Sequence, residues 1–159
     1  MMANRIGRQL GLEDLDLQRL HFAALLHDIG MLRIDPESLK GNRMAVESHP
    51  GIGYEMLKQI DLWRDIAPLV LHHHEHWDGN GYPDQLRGEE IPLASRIIAV
   101  AEAFDSMTST QSYRVAVSEQ EALDLIRDAA GQQFDPEVAR VFLRLHAEGL
   151  DDPPGGTLA

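Results

Sequence analysis

The stretch from Asp14 to Gly30, DLDLQRLHFAALLHDIG, decides the fold class of this chain. Its apolar residues recur at the three- and four-residue intervals of an amphipathic helix, so one face is predicted to pack inward. This inward face consists of Leu17, Leu20, Ala24 and Asp28. Gly30 is typical of a left-handed C-terminal cap, which ends the predicted helix near Ile29 and places His27 and Asp28 in its last turn.

The same periodicity covers most of the chain, and no segment alternates apolar and polar residues as a half-buried strand would. We expect about seven helices, at residues 3–10, 14–29, 43–60, from 61 into the histidines at 72–74, 93–108, 119–130 and 136–148. The many glycines and prolines between residues 75 and 92 predict an ordered loop there. The sequence therefore predicts an all-α bundle in a single domain, residues 1–150, followed by a flexible tail at 151–159.

Composition excludes several classes of protein. The 159 residues carry 14 basic and 26 acidic side chains, and the resulting net charge of −12 argues against nonspecific binding of DNA or RNA. The absence of cysteine excludes disulfides, iron–sulfur clusters and thiol nucleophiles, and it fits a reducing compartment. No apolar run approaches the roughly 18 residues of a membrane span, and no secretory signal is recognisable. We therefore expect a cytoplasmic protein with no membrane span.

Histidine is concentrated in one part of the chain. Five of the eight histidines lie between His49 and His76, and a sixth, His27, is followed directly by Asp28. Neutral imidazoles and carboxylates suit Fe, Mn or Zn. Three segments, His27-Asp28, His49 and His73-His74, are therefore predicted to form a metal centre.

One further oxygen ligand is expected from the fifth helix. Glu102 and Asp105 lie one turn apart in an otherwise apolar stretch, and a buried carboxylate without a cation would be costly. Periodicity leaves open which of the two faces the metals. The alternative, that the histidines are ordinary core or surface residues, suits single residues such as His21 and His146 better than it suits the cluster.

Five runs distributed over the chain form one signature. They are HDIG at 27–30, HPGIG at 49–53, HHEHWDGNGYP at 73–83, IPLASRIIAVA at 91–101 continued by FDSMT at 104–108, and GQQFDP at 131–136. Together they resemble the HD-GYP family, a branch of the HD metal-dependent phosphohydrolases, over nearly the whole chain. The resemblance implies an HD-domain-like helical bundle.

The resemblance also implies an activity. Members of the family hydrolyse the bacterial second messenger cyclic di-GMP to linear pGpG or to GMP at a centre of two or three metals, commonly Fe or Mn. The positions that match the family's metal ligands are His27, Asp28, His49, His73, His74 and Glu102. Asp28 would bridge two cations and is the candidate catalytic residue, while Glu102 stands where the family usually has Asp. A bridging water activated by the two cations would attack phosphorus without a covalent nucleophile.

Substrate and partner contacts are expected beside the metals. Tyr82 offers a ring to stack on guanine or a hydroxyl for a phosphate, although its loop is equally well explained as a plain turn. Arg114 survives from the family's Arg-Pro-Tyr-Arg segment and is the candidate phosphate-binding residue. The Gly-Tyr-Pro surface is associated in the family with docking to diguanylate cyclase domains, so such a domain or a regulatory domain is a candidate partner.

The chain departs from the family pattern at several positions. Met31 replaces the usual active-site Lys, Gln111 replaces an Arg, and the stretch between His27 and His49 is shorter than usual. Family members carry a ligand His on a first helix whose end matches Arg5 to Leu10, so this ligand is expected to lie upstream of Met1 or to be absent. These departures predict weakened turnover, and they favour as the alternative a degenerate module that binds metal or nucleotide, or docks on a partner. A nucleotidase of the wider HD superfamily is disfavoured by the intact HHE and GYP runs.

Overall fold

The computed structural model describes residues 1–109 and 116–149, and these parts of the chain form helices with no β-strand. The α-helices are α1 Met2–Gln9, α2 Asp14–Leu26, α3 Pro36–Leu39, α4 Arg43–Glu47, α5 His49–Leu57, α6 Ala67–Leu71, α7 Leu93–Thr108, α8 Glu119–Asp128 and α9 Pro136–Ala147. Short 3₁₀ helices lie at Ile29–Arg33, Asp61–Trp63 and Gly88–Glu90. The all-α prediction is confirmed.

The described residues contain nine α-helices, where about seven were predicted. The expected helix over 43–60 is divided into α4 and α5, with Ser48 between them and Pro50 in the first turn of α5. A proline there has no N–H to continue a preceding helix but suits the start of a new one. The short helix α3 was not predicted, although Asp35 caps it by accepting from the Glu37 amide at 3.2 Å. The expected tail at 151–159 lies outside the described residues.

Helix α7 holds the bundle together, because it packs against α1, α2, α6, α8 and α9. The core that these helices share includes the fully buried side chains of Ile6, Leu20, Val70, Ile97 and Phe142. Such burial stabilises by about 1.5–3 kcal/mol for each large apolar side chain. The same packing brings the middle of α7 against the ends of α2 and α6, where the predicted metal ligands lie.

Two of the three histidine segments lie just beyond the helix ends rather than in the last turns, whereas His49 begins α5. Helix α2 ends at Leu26, and α6 ends at Leu71, so that His27 and His73 belong to the turns that follow. Gly30 does not adopt the left-handed conformation of a cap, and that prediction is wrong. A Cβ atom on Gly30 would lie only 2.0 Å from the carbonyl oxygen of His49. Glycine is therefore required because the backbone after Asp28 passes directly against the start of α5.

The loop over 75–92 is ordered by a buried carboxylate. Glu75 is 3% exposed, and it accepts hydrogen bonds from the amides of Asp84 at 2.7 Å and Leu86 at 3.1 Å. Hydrogen bonds to a carboxylate are stronger than those between neutral groups, so this one side chain fixes the return of the loop. The prediction of an ordered loop agrees with this geometry.

The loop is also tied to the start of α9. The amides of Trp77 and Asp78 donate to the carbonyls of Gln133 and Gln132 at 3.1 and 2.9 Å. Beneath them Arg96 donates to Asp135 at 2.7 Å, and Asp135 in turn caps α9. None of the helices in residues 1–109 and 116–149 is both long and apolar enough to span a membrane.

Candidate metal centre

The six residues predicted as metal ligands come from four parts of the chain that the fold brings together. They are His27 and Asp28 directly after α2, His49 at the first position of α5, His73 and His74 in the turn after α6, and Glu102 in the middle of α7. Their ligand atoms form two sets, each with all atoms within 4.8 Å of one another: His49, His73 and His74, and His27, Asp28 and Glu102. Each set has the size and chemistry to hold one cation.

The two sets touch. Nε2 of His49 lies 3.2 Å from Nε2 of His73 within one set, and it lies 3.3 Å from Oδ1 of Asp28 in the other. The second oxygen of Asp28 lies 3.2 Å from Nε2 of His27. A carboxylate whose oxygens face different histidines has the arrangement that a bridge between two cations requires.

Glu102 closes the centre from the side of α7. Its carboxylate oxygens lie 3.9 Å from Nε2 of His73 and 3.9 Å from Nε2 of His74. Asp105 belongs to neither set and is exposed. Packing therefore answers the question that periodicity left open, and Glu102 is the acid that faces the histidines.

Backbone carbonyls fix the orientation of three imidazoles. Nδ1 of His27, His49 and His73 lies 2.9, 2.6 and 2.6 Å from the carbonyl oxygens of the residues three positions earlier, which are Ala24, Val46 and Val70. A carbonyl only accepts, so each Nδ1 carries a proton and each Nε2 faces the centre, where its lone pair can bind a cation once that nitrogen is deprotonated. Ligating histidines in proteins are held in this way.

The direction of these Nε2 atoms indicates whether a cation would fit between the imidazoles. Two neutral imidazoles that both donate through Nδ1 have only lone pairs at Nε2, yet these atoms are 3.2 Å apart in His49 and His73. Such an approach is repulsive unless a proton or a cation lies between the two nitrogens. The donor set of imidazole nitrogens and carboxylate oxygens fits a divalent transition metal, and the six residues are compatible with it.

Burial and mutual charge shift the pKa values across the centre. Burial and the neighbouring His74 lower the pKa of His73 to about 2, and burial and His49 lower that of His74 to about 4. Burial raises the pKa of Glu102 to about 7. The hydrogen bond from His27 lowers the pKa of Asp28 to about 2, while burial of His27 is outweighed by Asp28, so that its pKa rises to about 9. At neutral pH His73 and His74 are thus unprotonated, as metal ligation requires, whereas His27 keeps its proton until a cation displaces it.

The other predicted site residues are Tyr82 and Arg114, and two further histidines, His72 and His76, have no predicted role. Tyr82 stacks on His74, with ring centroids 5.0 Å apart, and burial raises the pKa of its hydroxyl to about 12, so it stays protonated and can donate. Arg114 lies outside the described residues. His72 and His76 belong to neither ligand set, and Nε2 of His72 lies 3.0 Å from Asp84 instead.

Sequence reasoning missed two features of the centre. The backbone carbonyls that hold the imidazoles were not predicted. Each of them belongs to the residue three positions before its histidine, and this common spacing could have indicated them once the helix ends were known. A cavity of about 480 Å³ beside His73, His74 and Glu102 was not foreseen either, because helices distant in sequence enclose it.

Comparison with known proteins gives concordant matches. A model of the family described as HD domain matches residues 1–138. The chain is 38% identical to the cyclic di-GMP phosphodiesterase response regulator RpfG of Xanthomonas campestris, over 92% of this chain and 41% of that protein. It is 35% identical to a cyclic di-GMP phosphodiesterase of Thermotoga maritima, over 94% of this chain and 43% of that protein.

The structure is also similar to a solved one. A cyclic GMP-AMP specific phosphodiesterase of V. cholerae superposes with a TM-score of 0.72 at 25% identity, over 92% of this chain and 42% of that one. The chain thus spans less than half the length of the curated relatives named above. Both substrates named among these proteins are cyclic dinucleotides.

Proposed function

This chain belongs to the HD domain family, as its HD-GYP-like motifs predict, and on this basis we propose that it is a metal-dependent phosphodiesterase that hydrolyses cyclic di-GMP to linear pGpG, GMP or both. The observation that carries the proposal is the pair of adjacent ligand sets joined by Asp28. A two-metal site of this kind is suited to phosphodiester cleavage, because it can hold the attacking and the leaving oxygen at once.

Two or three divalent ions, with Fe or Mn expected, would lower the pKa of a water and neutralise charge on the phosphoryl oxygens. The ions would be held by His27, Asp28, His49, His73, His74 and Glu102. The chain's own contribution is to keep the Nε2 lone pairs of its histidines directed inward through the carbonyls of Ala24, Val46 and Val70. The chain also places Tyr82 beside the centre. Its protonated hydroxyl can donate to a phosphate, or its ring can stack on a base.

The choice between cyclic dinucleotides is part of the proposal. Cyclic di-GMP is preferred because the relatives at 38% and 35% identity are named for it, while a Vibrio cholerae relative at 34% identity is named for 3′3′-cGAMP. Both substrates carry the same doubly charged ring of two phosphodiesters and differ in one base. The absence of cysteine leads us to place the reaction in the cytoplasm as a further part of the proposal.

The alternative is a module that binds metal or nucleotide without efficient turnover. It is favoured by Met31, an uncharged residue in the 3₁₀ helix Ile29–Arg33 directly after Asp28, where the family usually has a cation. Arg114 and Gln111, the other positions that bear on phosphate binding, lie outside the described residues. Docking on a diguanylate cyclase domain belongs to this alternative as well.

The test is turnover measured together with metal content. The full chain is loaded with Mn²⁺ or, without oxygen, with Fe²⁺, and it is incubated separately with cyclic di-GMP, 3′3′-cyclic GMP-AMP and GMP, with products separated by chromatography. We expect cleavage of cyclic di-GMP that is lost in Asp28→Ala and kept in Asp128→Ala, an exposed acid at the end of α8. Metal bound in the expected amount without cleavage of either cyclic dinucleotide would favour the degenerate module. Cleavage that survives in Asp28→Ala would refute the metal mechanism.

A further inference from the structure

The cavity of about 480 Å³ lies between α7, α8 and the turn at 131–134, and it opens onto the metal centre. His73, His74 and Glu102 form one side of it. Away from the metal ligands its lining is mixed, with apolar side chains such as Ala103, Met107, Leu125 and Phe134 beside polar ones. A volume between about 300 and 1,000 Å³ is typical of small-molecule sites, so the space suits part of a dinucleotide.

The charges around the cavity exclude a phosphate as its occupant. No Lys or Arg is found among the described residues that line it, and Glu75 and Glu102 contribute carboxylates. The Glu75 carboxylate is turned to the amides of Asp84 and Leu86. A phosphate placed deep in this cavity would be desolvated without a cation, which is costly, so the phosphodiester has to stay at the metal ligands.

Besides the imidazole of His76, two polar side chains of the lining remain for a neutral ligand. Ser106 and Gln133 line the cavity, and a serine hydroxyl and a glutamine amide can each donate and accept. The backbone N–H and C=O of Gln133 are already engaged with Ala129 and Trp77, so it is the amide side chain that is left to pair with a ligand. A planar group with apolar faces and a mixed donor–acceptor edge satisfies both kinds of lining.

We propose that this cavity binds one purine base of the cyclic dinucleotide, an inference that rests on the proposed function. Met107 and Leu125 supply the apolar surface, and Ser106 and Gln133 supply partners for the polar edge of the base. Leu125 is 47% exposed, so a bound base would remove from water an apolar side chain that the fold itself leaves half uncovered. The rest of the dinucleotide would extend towards Tyr82, which stacks on His74 and does not line the cavity.

The experiment isolates the contribution of the base. Isothermal titration of the Mn²⁺-loaded full chain gives the Kd for GMP and the Kd for ribose 5-phosphate, which keeps the sugar and phosphate but lacks the base. The ratio of the two Kd values measures what the base adds, and a merely structural change would alter both Kd values together. The cavity variants are Gln133→Ala and Leu125→Ala.

Each cavity variant has a matched control. Gln132→Ala removes the neighbouring exposed amide, which does not line the cavity, and Leu15→Ala removes a leucine on α2 that is 59% exposed. We expect GMP to bind the parent at least about tenfold more tightly than ribose 5-phosphate, equivalent to about 1.4 kcal/mol. That ratio should fall below about threefold in both cavity variants and stay unchanged in both controls.

Two results would overturn the inference: equal Kd values for GMP and ribose 5-phosphate in the parent, or a ratio that neither cavity variant changes. The outcome is separable from that of the proposed function. A ratio that behaves as expected without any cyclic di-GMP cleavage would reject the enzyme and keep the base site. Cleavage of cyclic di-GMP with an unchanged ratio would keep the enzyme and reject the base site.

Discussion

Asp28 places one carboxylate oxygen 3.3 Å from Nε2 of His49, although Asp28 follows α2 and His49 begins α5. The approach is made possible by the backbone of Gly30, which passes so close to His49 that a side chain there would collide with its carbonyl oxygen. The first two segments of the candidate centre are therefore joined through backbone packing as well as through ligand chemistry.

Gly30→Ala is expected to destabilise the fold and to separate Asp28 from His49. The added Cβ would lie 2.0 Å from the carbonyl oxygen of His49 and 2.8 Å from the amide nitrogen of Gly53, and neither backbone atom can move away cheaply. We expect a loss of about 3 kcal/mol or more in urea unfolding, together with lower metal content. Gly51→Ala is the matched control, because a Cβ there meets nothing within 4 Å, and it should be neutral or stabilising by up to about 1 kcal/mol. Equal stability of the two variants would contradict the close approach.

Asp135→Ala should be far more damaging than the loss of an exposed acid on the same helix. Asp135 is 4% exposed, pairs with Arg96 and caps α9, so its removal leaves a guanidinium that is only 14% exposed without its carboxylate and two helix amides without an acceptor. We expect a cost of about 3–5 kcal/mol, measured by thermal and urea unfolding. Glu137→Ala breaks the exposed pair with Arg140 and should cost less than about 1 kcal/mol. A cost for Asp135→Ala in that lower range would show that the pair does not anchor the loop.

Metal uptake should release protons. In the metal-free protein the pKa of His27 is raised to about 9, so it is protonated at pH 7, and Glu102, with its pKa raised to about 7, is protonated in about half of the molecules. A cation has to displace both, so we expect between about one and two protons released per centre at pH 7 and weaker metal binding as the pH falls. Titration calorimetry in two buffers of different ionisation enthalpy measures the number. Identical heats in both buffers would contradict the prediction.

The shifted pKa values of His27 and Asp28 also make the stability of the metal-free fold depend on pH. Because the folded pKa of His27 lies above its ordinary value of 6.5, its stabilising contribution is fully present below pH 6.5 and is lost as the pH rises through about 9. For Asp28, whose pKa is lowered from 3.8 to about 2, the contribution is present above pH 3.8 and is lost as the pH falls through about 2.

Met31→Lys is expected to raise cyclic di-GMP turnover by about tenfold or more. The substitution puts a cation two residues after Ile29, beside the segment that carries Asp28, and a charge aimed at developing phosphoryl charge typically changes rates by about 10²–10³. Leu62→Lys adds the same charge at a position that is 82% exposed on the 3₁₀ helix Asp61–Trp63. Comparable gains in both variants would point to net charge, and no gain in either would remove Met31 as the cause of weak turnover.

Much of the candidate centre could be predicted from the sequence, because the ligand segments interrupt amphipathic helices at positions that periodicity identifies. Periodicity could not choose between Glu102 and Asp105, which are three residues apart on one helix, since that choice depends on how α7 packs against the turns after α2 and α6. It misjudged Gly30 for a similar reason. A glycine directly after a predicted helix is typical of a cap. The actual role of Gly30 depends instead on its contact with His49, a residue distant in sequence. The break between α4 and α5 depends on the local sequence around Pro50. A proline at this position is, however, equally compatible with an irregularity inside one longer helix.

The most direct measurement of the central claim is anomalous diffraction from crystals of the Mn²⁺-loaded chain, recorded on both sides of the manganese absorption edge. We predict two peaks about 3.5–4 Å apart, one at each ligand set, with Nε2 of His27, His49, His73 and His74 about 2.0–2.2 Å from a metal and Asp28 between the two ions. Peaks only at surface carboxylates, or a centre from which His49 or Glu102 is excluded, would contradict the account.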